Sequence, residues 1–225
     1  MGPHAIEISA DVCAVGGRGL TAPEDAAVYL VTSGDDAALI DAGCGRATDL
    51  LLANVEAAGV APSRIRQLLL THCHFDHTGG AAELRRRLGC VTVAHALDAA
   101  TVEAGDDEVS AAAWYRGHLA PCPVDRKLLA AEEAIVIGGR VLRAYHIPGH
   151  SPGSVAFVWE AGGRRILFGQ DVHGPLDEVL RSDPVHYQAS LRKLLALEAD
   201  VLCEGHYGVI EGAGRVAEFI RGFIT

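Results

Sequence analysis

The chain has 225 residues, 49% of them hydrophobic, with 19 basic against 29 acidic side chains and a formal charge of −10. That size buries a large core as one domain, 1–225, and no Pro/Ser-rich linker or low-complexity tract divides it. The acidic balance excludes nucleic acid as the main partner, since a polyanion needs a basic surface and Arg85-Arg86-Arg87 is the one basic cluster, read as a solvated helix face.

In chain order, apolar β-rich runs at 28–32 and 37–41 predict two strands, followed by a helix over 48–58. A third strand spans 67–71, a helix begins after Gly79-Gly80 and covers 80–88, and a fourth strand spans 91–94. The second half echoes this pattern, with strands at 134–137, 141–146, 154–159 and 164–168, helices at 184–197 and 214–223, and a short strand at 201–203.

The densest chemistry lies on the loop after the third strand, Thr71-His72-Cys73-His74-Phe75-Asp76-His77-Thr78-Gly79-Gly80. Buried imidazoles and carboxylates must each find a partner or lose their charge, and His-x-His-x-Asp-His is a poor way to fill a core. A metal site satisfies all four side chains together. His72 and His74 share a face while the chain is extended, and Asp76 and His77 follow as it turns, so one loop can serve two neighbouring ions. The same alternation turns Cys73 away from them.

This loop resembles the signature of the metallo-β-lactamase superfamily of hydrolases, and the other motifs of that family follow in order from about Val28 to the C-terminus. Leu39-Ile40-Asp41-Ala42-Gly43 is similar to the first, whose Asp supports the metal loop from behind. Pro148-Gly149-His150-Ser151-Pro152-Gly153-Ser154 is similar to the third, Leu167-Phe168-Gly169-Gln170-Asp171 to the fourth, and Glu204-Gly205-His206-Tyr207 to the fifth. The resemblance implies an α/β fold, an αββα four-layer sandwich with the metal site at one edge of its two sheets. It implies His72, His74 and His150 on one ion, Asp76, His77 and His206 on the other, and Asp171 with a hydroxide between them. Imidazole and carboxylate ligands suit zinc first, with iron or manganese as alternatives, so two divalent ions are the expected cofactors.

The implied enzyme is a metal-dependent hydrolase in which Asp76 and Asp171 are the catalytic carboxylates and a metal-bridging hydroxide cleaves a thioester, lactone or other ester of a small molecule. The short chain resembles glyoxalase II-like and lactonase-like members, and it offers no counterpart of the basic helical extension that binds glutathione. The alternative is a mononuclear iron persulfide dioxygenase, whose two His and one Asp match His72, His150 and Asp171. Substrate selection is expected in 96–127, with Trp114, Tyr115 and His118, and in 173–187, with His173. His95, His146 and His186 have no companions in the sequence, and His146 reads as structural. No apolar run reaches the roughly 18 residues of a membrane span, no secretory signal is visible, and Cys13, Cys44, Cys73, Cys90, Cys122 and Cys203 read as free thiols. A cytoplasmic location without a membrane partner is therefore expected.

Overall fold

The apolar runs pair into two sheets that face each other. In a computed structural model describing residues 2–225, the first sheet holds β1 (Ile6–Ser9), β2 (Val12–Gly16), β3 (Val28–Ser33), β4 (Asp36–Ile40), β5 (Ile65–Leu69), β6 (Val91–His95) and β7 (Arg126–Leu128), adjacent in that order. The first three pairings are antiparallel, and from β4 onward the strands run parallel. Parallel neighbours need crossovers. These are α1 (Thr48–Ala57), then a single turn α2 (Phe75–Thr78) with α3 (Ala81–Leu88), then α4 (Ala96–Ala104) and the loop after it.

The second sheet holds β8 (Glu132–Ile137), β9 (Arg140–His146), β10 (Val155–Ala161), β11 (Arg164–Phe168), β12 (Val201–Glu204) and β13 (Gly208–Glu211), in the spatial order β13-β12-β11-β10-β9-β8. Helix α5 (Pro184–Ala196) makes its one parallel crossover, β11 to β12, and α6 (Ala213–Arg221) follows β13.

Period-two alternation sorts the strand residues into layers. Tyr29, Val31, Ala38, Ile40, Phe157, Trp159 and Phe168 point between the sheets. Val28, Leu30, Ala37 and Leu39 point outward onto α1, α3 and α4, while Ala156, Val158 and Leu202 point outward onto α5 and α6. Helix, sheet, sheet, helix is the expected four-layer sandwich. Fully buried Phe157 and Phe168 are each worth about 1.5–3 kcal/mol relative to exposure.

Strands β1, β2, β7 and β13 have no counterpart among the sequence expectations. They are three to five residues long, and β7, Arg-Lys-Leu, carries no apolar alternation to detect. The third strand stops at Leu69 rather than at residue 71, because Thr71 gives its backbone N–H to the Asp41 carboxylate instead of to a neighbouring strand. Among the described residues no helix is long and apolar enough to cross a membrane, and the six cysteines are free.

Candidate active site

Every motif residue sits at the carboxyl end of a strand. The chain leaves β5 extended through His72 to His74, then closes into α2, which carries Asp76 and His77. His150 follows β9, Asp171 follows β11 and His206 follows β12, so the second sheet supplies what the first lacks. Gly205 permits this convergence. A Cβ there would stand 2.6 Å from Oδ1 of Asp171.

The seven expected ligands come together in two adjacent groups, His72, His74, His150 and Asp171 in one and Asp76, His77 and His206 in the other. Asp171 stands between them with its oxygens divided. Oδ2 lies 3.2 Å from Nε2 of His150 and 3.9 Å from that of His72, whereas Oδ1 lies 3.1 Å from Nε2 of His77 and 3.4 Å from that of His206. Oδ2 of Asp76 lies 3.3 Å from Nε2 of His206 and 3.8 Å from that of His77.

The donor set fits divalent cations. Nε2 of His72, His74, His77 and His150 and Oδ1 of Asp171 are buried with no hydrogen-bond partner among the described residues, a cost that folded proteins avoid unless something else occupies the valence. Burial and the neighbouring imidazoles hold His72 and His74 well below the usual histidine range, which keeps them neutral as ligands must be. Burial opposes charge on His77 and His206 too, yet the surrounding carboxylates hold His77 well above its usual range and push His206 up to about 10. The same imidazoles hold Asp171 well below the carboxylate range despite its burial. This side of the site asks for positive charge.

Hydrogen bonds behind the ligands fix their rings. Asp41, buried and at φ 65°, accepts from the Thr71 N–H and hydroxyl at 2.8 Å each, from Nδ1 of His77 at 2.6 Å, and from the Gln170 amide. The Thr71 hydroxyl has one proton and gives it to Asp41, so Nδ1–H of His72, 3.0 Å away, donates to Thr71 and leaves Nε2 free. Nδ1 of His150 donates to the Pro175 carbonyl at 2.8 Å. These contacts put Asp41 behind the loop that carries His72 to His77. Asp41→Asn, which tolerates the positive φ and removes the charge, is expected to weaken metal binding about 10–100-fold, read by competition with a chelator dye. Wild-type affinity in that protein would remove Asp41 from the site's support.

Two carboxylates with comparable roles had no distinguishing sequence signal. Asp98, wholly buried on α4, accepts from the Cys73 N–H at 3.0 Å, the Ser151 hydroxyl at 2.6 Å and the Gly153 N–H at 2.7 Å. It ties the loop of His72 and His74 to the loop of His150. Glu204 accepts from the backbone N–H groups of His206 and Tyr207 at 2.7 and 3.0 Å and from Nδ1 of His173 at 2.8 Å.

A cavity of about 160 Å³ opens over the cluster, with His74, Asp76, His150, Asp171 and His206 at its floor. Trp114, Tyr115, His173 and Leu180 line its walls, so both expected overhanging segments contribute. Burial, then the adjacent Asp76 carboxylate, pushes the Tyr115 phenol far up, so it stays protonated. His118 does not line this cavity. Its side chain is 92% exposed and pairs with Asp107, because the chain turns outward at Arg116, φ 52°. The loop between β2 and β3, absent from the sequence expectations, borders a second space of about 470 Å³ on the far side of His206, with Arg18 and Leu20 in its wall. His95 and His146 are companions after all, stacked with centroids 3.8 Å apart, and Nε2 of His146 meets the Pro152 carbonyl at 2.9 Å. His146 is part of the scaffold, and Cys73 packs away from the ligands into the helix-side core.

Residues 22–206 match the family model of the metallo-beta-lactamase superfamily. The chain is 36% identical over 146 residues to a hydroxyacylglutathione hydrolase of Anaeromyxobacter dehalogenans, an alignment covering 65% of this chain and 46% of the relative. It is 29% identical over 227 residues to the acyl-coenzyme A thioesterase MBLAC2 of Gallus gallus, covering 88% and 78%. It spans about half the length of several of the curated relatives it matches. A solved B3 metallo-beta-lactamase with an active-site glutamic acid superposes with a TM-score of 0.81 at 24% identity, covering 99% of this chain and 88% of that one, a likeness of fold. With the family model running through the motif loops over residues 22–206 and the four-layer sandwich gathering the motif side chains at its strand ends, the chain belongs to the metallo-β-lactamase superfamily.

Proposed function

We propose that this chain is a dinuclear metal-dependent hydrolase of small-molecule thioesters, lactones or other esters, with thioesters foremost. One observation carries the dinuclear part: the two oxygens of Asp171 are turned to different ligand groups, which is how a carboxylate sits between two cations. A mononuclear iron dioxygenase would use His72, His150 and Asp171 and keep Asp76, His77 and His206 in place without a second ion, so the metal content separates the two readings. The names of the relatives, a glutathione thioester hydrolase and a coenzyme A thioesterase, support the substrate class.

His72, His74 and His150 would hold one ion and Asp76, His77 and His206 the other, with zinc, iron and manganese all compatible with these donors. Bound, such a pair supplies a water acidified to hydroxide near neutral pH and an electrophile for a carbonyl. The protein's own part is placement. Asp76 and Asp171 orient the attacking water through their free lone pairs, and Trp114 and Tyr115 line the wall of its approach.

The test is metal analysis of purified protein with turnover across thioesters, lactones and phosphoesters. Two equivalents of metal and thioester hydrolysis are expected, and Trp114→Ala or Tyr115→Ala should change the ranking of substrates with metal content unchanged. One iron per chain with oxygen consumption on glutathione persulfide would replace this reading by the dioxygenase. Uniform loss on every substrate in the two variants would move specificity to other walls.

A further inference from the structure

A sixth imidazole at the cluster carries an outer hydrogen bond like those of His77 and His150. Nδ1 of His173 lies 2.8 Å from Oε1 of Glu204, and Glu204, with no solvent exposure, is held in turn by the backbone of the His206 loop. A carboxylate anchored so firmly sets the ring rather than following it. Nδ1–H is given to Glu204 and the lone pair of Nε2 is left over. Metal-bound histidines bear such a partner as a rule, and here His77 has Asp41 and His150 has the Pro175 carbonyl.

The position agrees. The His173 ring stands edge-on to His206 with centroids 5.1 Å apart, and ligand atoms of Asp171, His173 and His206 all lie within 4.8 Å of one another. His173 lines the cavity over the cluster, its side chain 18% exposed, where an entering ion meets it directly.

We propose that His173 is a metal ligand, and that Asp171, His173 and His206 form an alternative seat for the second divalent cation. The inference rests on the dinuclear reading above. The two seats share His206, the most exposed of the ligand rings, so one ion occupies one or the other and the shared ring hands it between them. In one seat the ion is drawn toward Asp76 and His77 in the floor, and in the other toward the cavity where substrate enters.

Cobalt(II) titration of metal-free wild-type and His173→Ala protein, followed by visible absorption and metal analysis, tests this. Wild type is expected to take two equivalents, and His173→Ala to bind the second at least about tenfold more weakly with an altered visible spectrum, the first equivalent and the far-UV dichroism being unchanged. A crystal of the zinc-loaded protein measured at the zinc edge should show metal density within about 2.2 Å of a His173 nitrogen. If wild type takes two equivalents and His173→Ala takes both with the same affinities and spectrum, the His173 seat is overturned while the dinuclear reading stands. If wild type takes one equivalent at saturating cobalt, both fall together.

Discussion

Asp171→Asn protein is expected to retain its fold, lose at least one metal per chain and lose turnover by more than the roughly 10–100-fold that follows loss of an outer hydrogen-bond partner. The side chain is 7% exposed, and the amide matches it in size, so packing is preserved. The charge is not. An amide offers one neutral oxygen where the carboxylate turns Oδ2 to His72 and His150 and Oδ1 to His77 and His206, and its NH₂ would face one of the two cation positions. Metal analysis beside far-UV dichroism reads both halves of the expectation. Full metal content and activity in this variant would take Asp171 out of the position between the ions.

Stripping the metals is expected to lower the melting temperature as well as abolish turnover. An ion that binds the folded chain stabilises it by about 2.7 kcal/mol when free metal is 100 times Kd. At this chain length each kcal/mol moves Tm by about 2–4 °C, so each site contributes about 5–10 °C. The effect has a sign in pH. Without metal, the carboxylates push His206 up to about 10 and hold His77 high, so an entering ion must displace protons and its affinity falls as the solution is acidified. Calorimetric scans of apo and reconstituted protein measure both. A metal-independent Tm would mean that the cluster does not bind tightly at all.

The metal loop was the most legible part of the chain, because four ligand side chains stand within six consecutive positions and the strand-to-helix context on either side is apolar and periodic. His150, Asp171 and His206 have no such density around them. Each is a single residue after a strand, and the family resemblance, rather than local pattern, brings them to the site. Asp98 was not legible by either route, and Glu204, although it stands in the fifth motif, had no role assigned there. Asp98 reaches Cys73 across 25 residues and Gly153 across 55, and a lone Asp in the first turn of a helix looks like any other solvated one until α4 is docked. His95 and His146 likewise meet because two sheets bring together the ends of β6 and β9. His118 shows the opposite failure. Its segment reaches the cavity, but the left-handed backbone at Arg116 turns the chain outward before it.

The division of ligands between the sheets bears on how the chain matures. His72, His74, Asp76 and His77 ride on the first sheet and His150, Asp171 and His206 on the second, so neither half alone closes a coordination shell. Under the dinuclear reading, metal capture would wait on docking of the two sheets and would then tie together the loops that follow β5, β9, β11 and β12. Parting the sheets at that edge would then require the ions to leave first, so amide exchange in these loops would slow on metal loading while the helix-facing layers stayed indifferent. An ion held for chemistry would thus serve as the chain's own latch, and metal scarcity would leave a folded but unbolted sandwich open at the edge where the motif side chains gather.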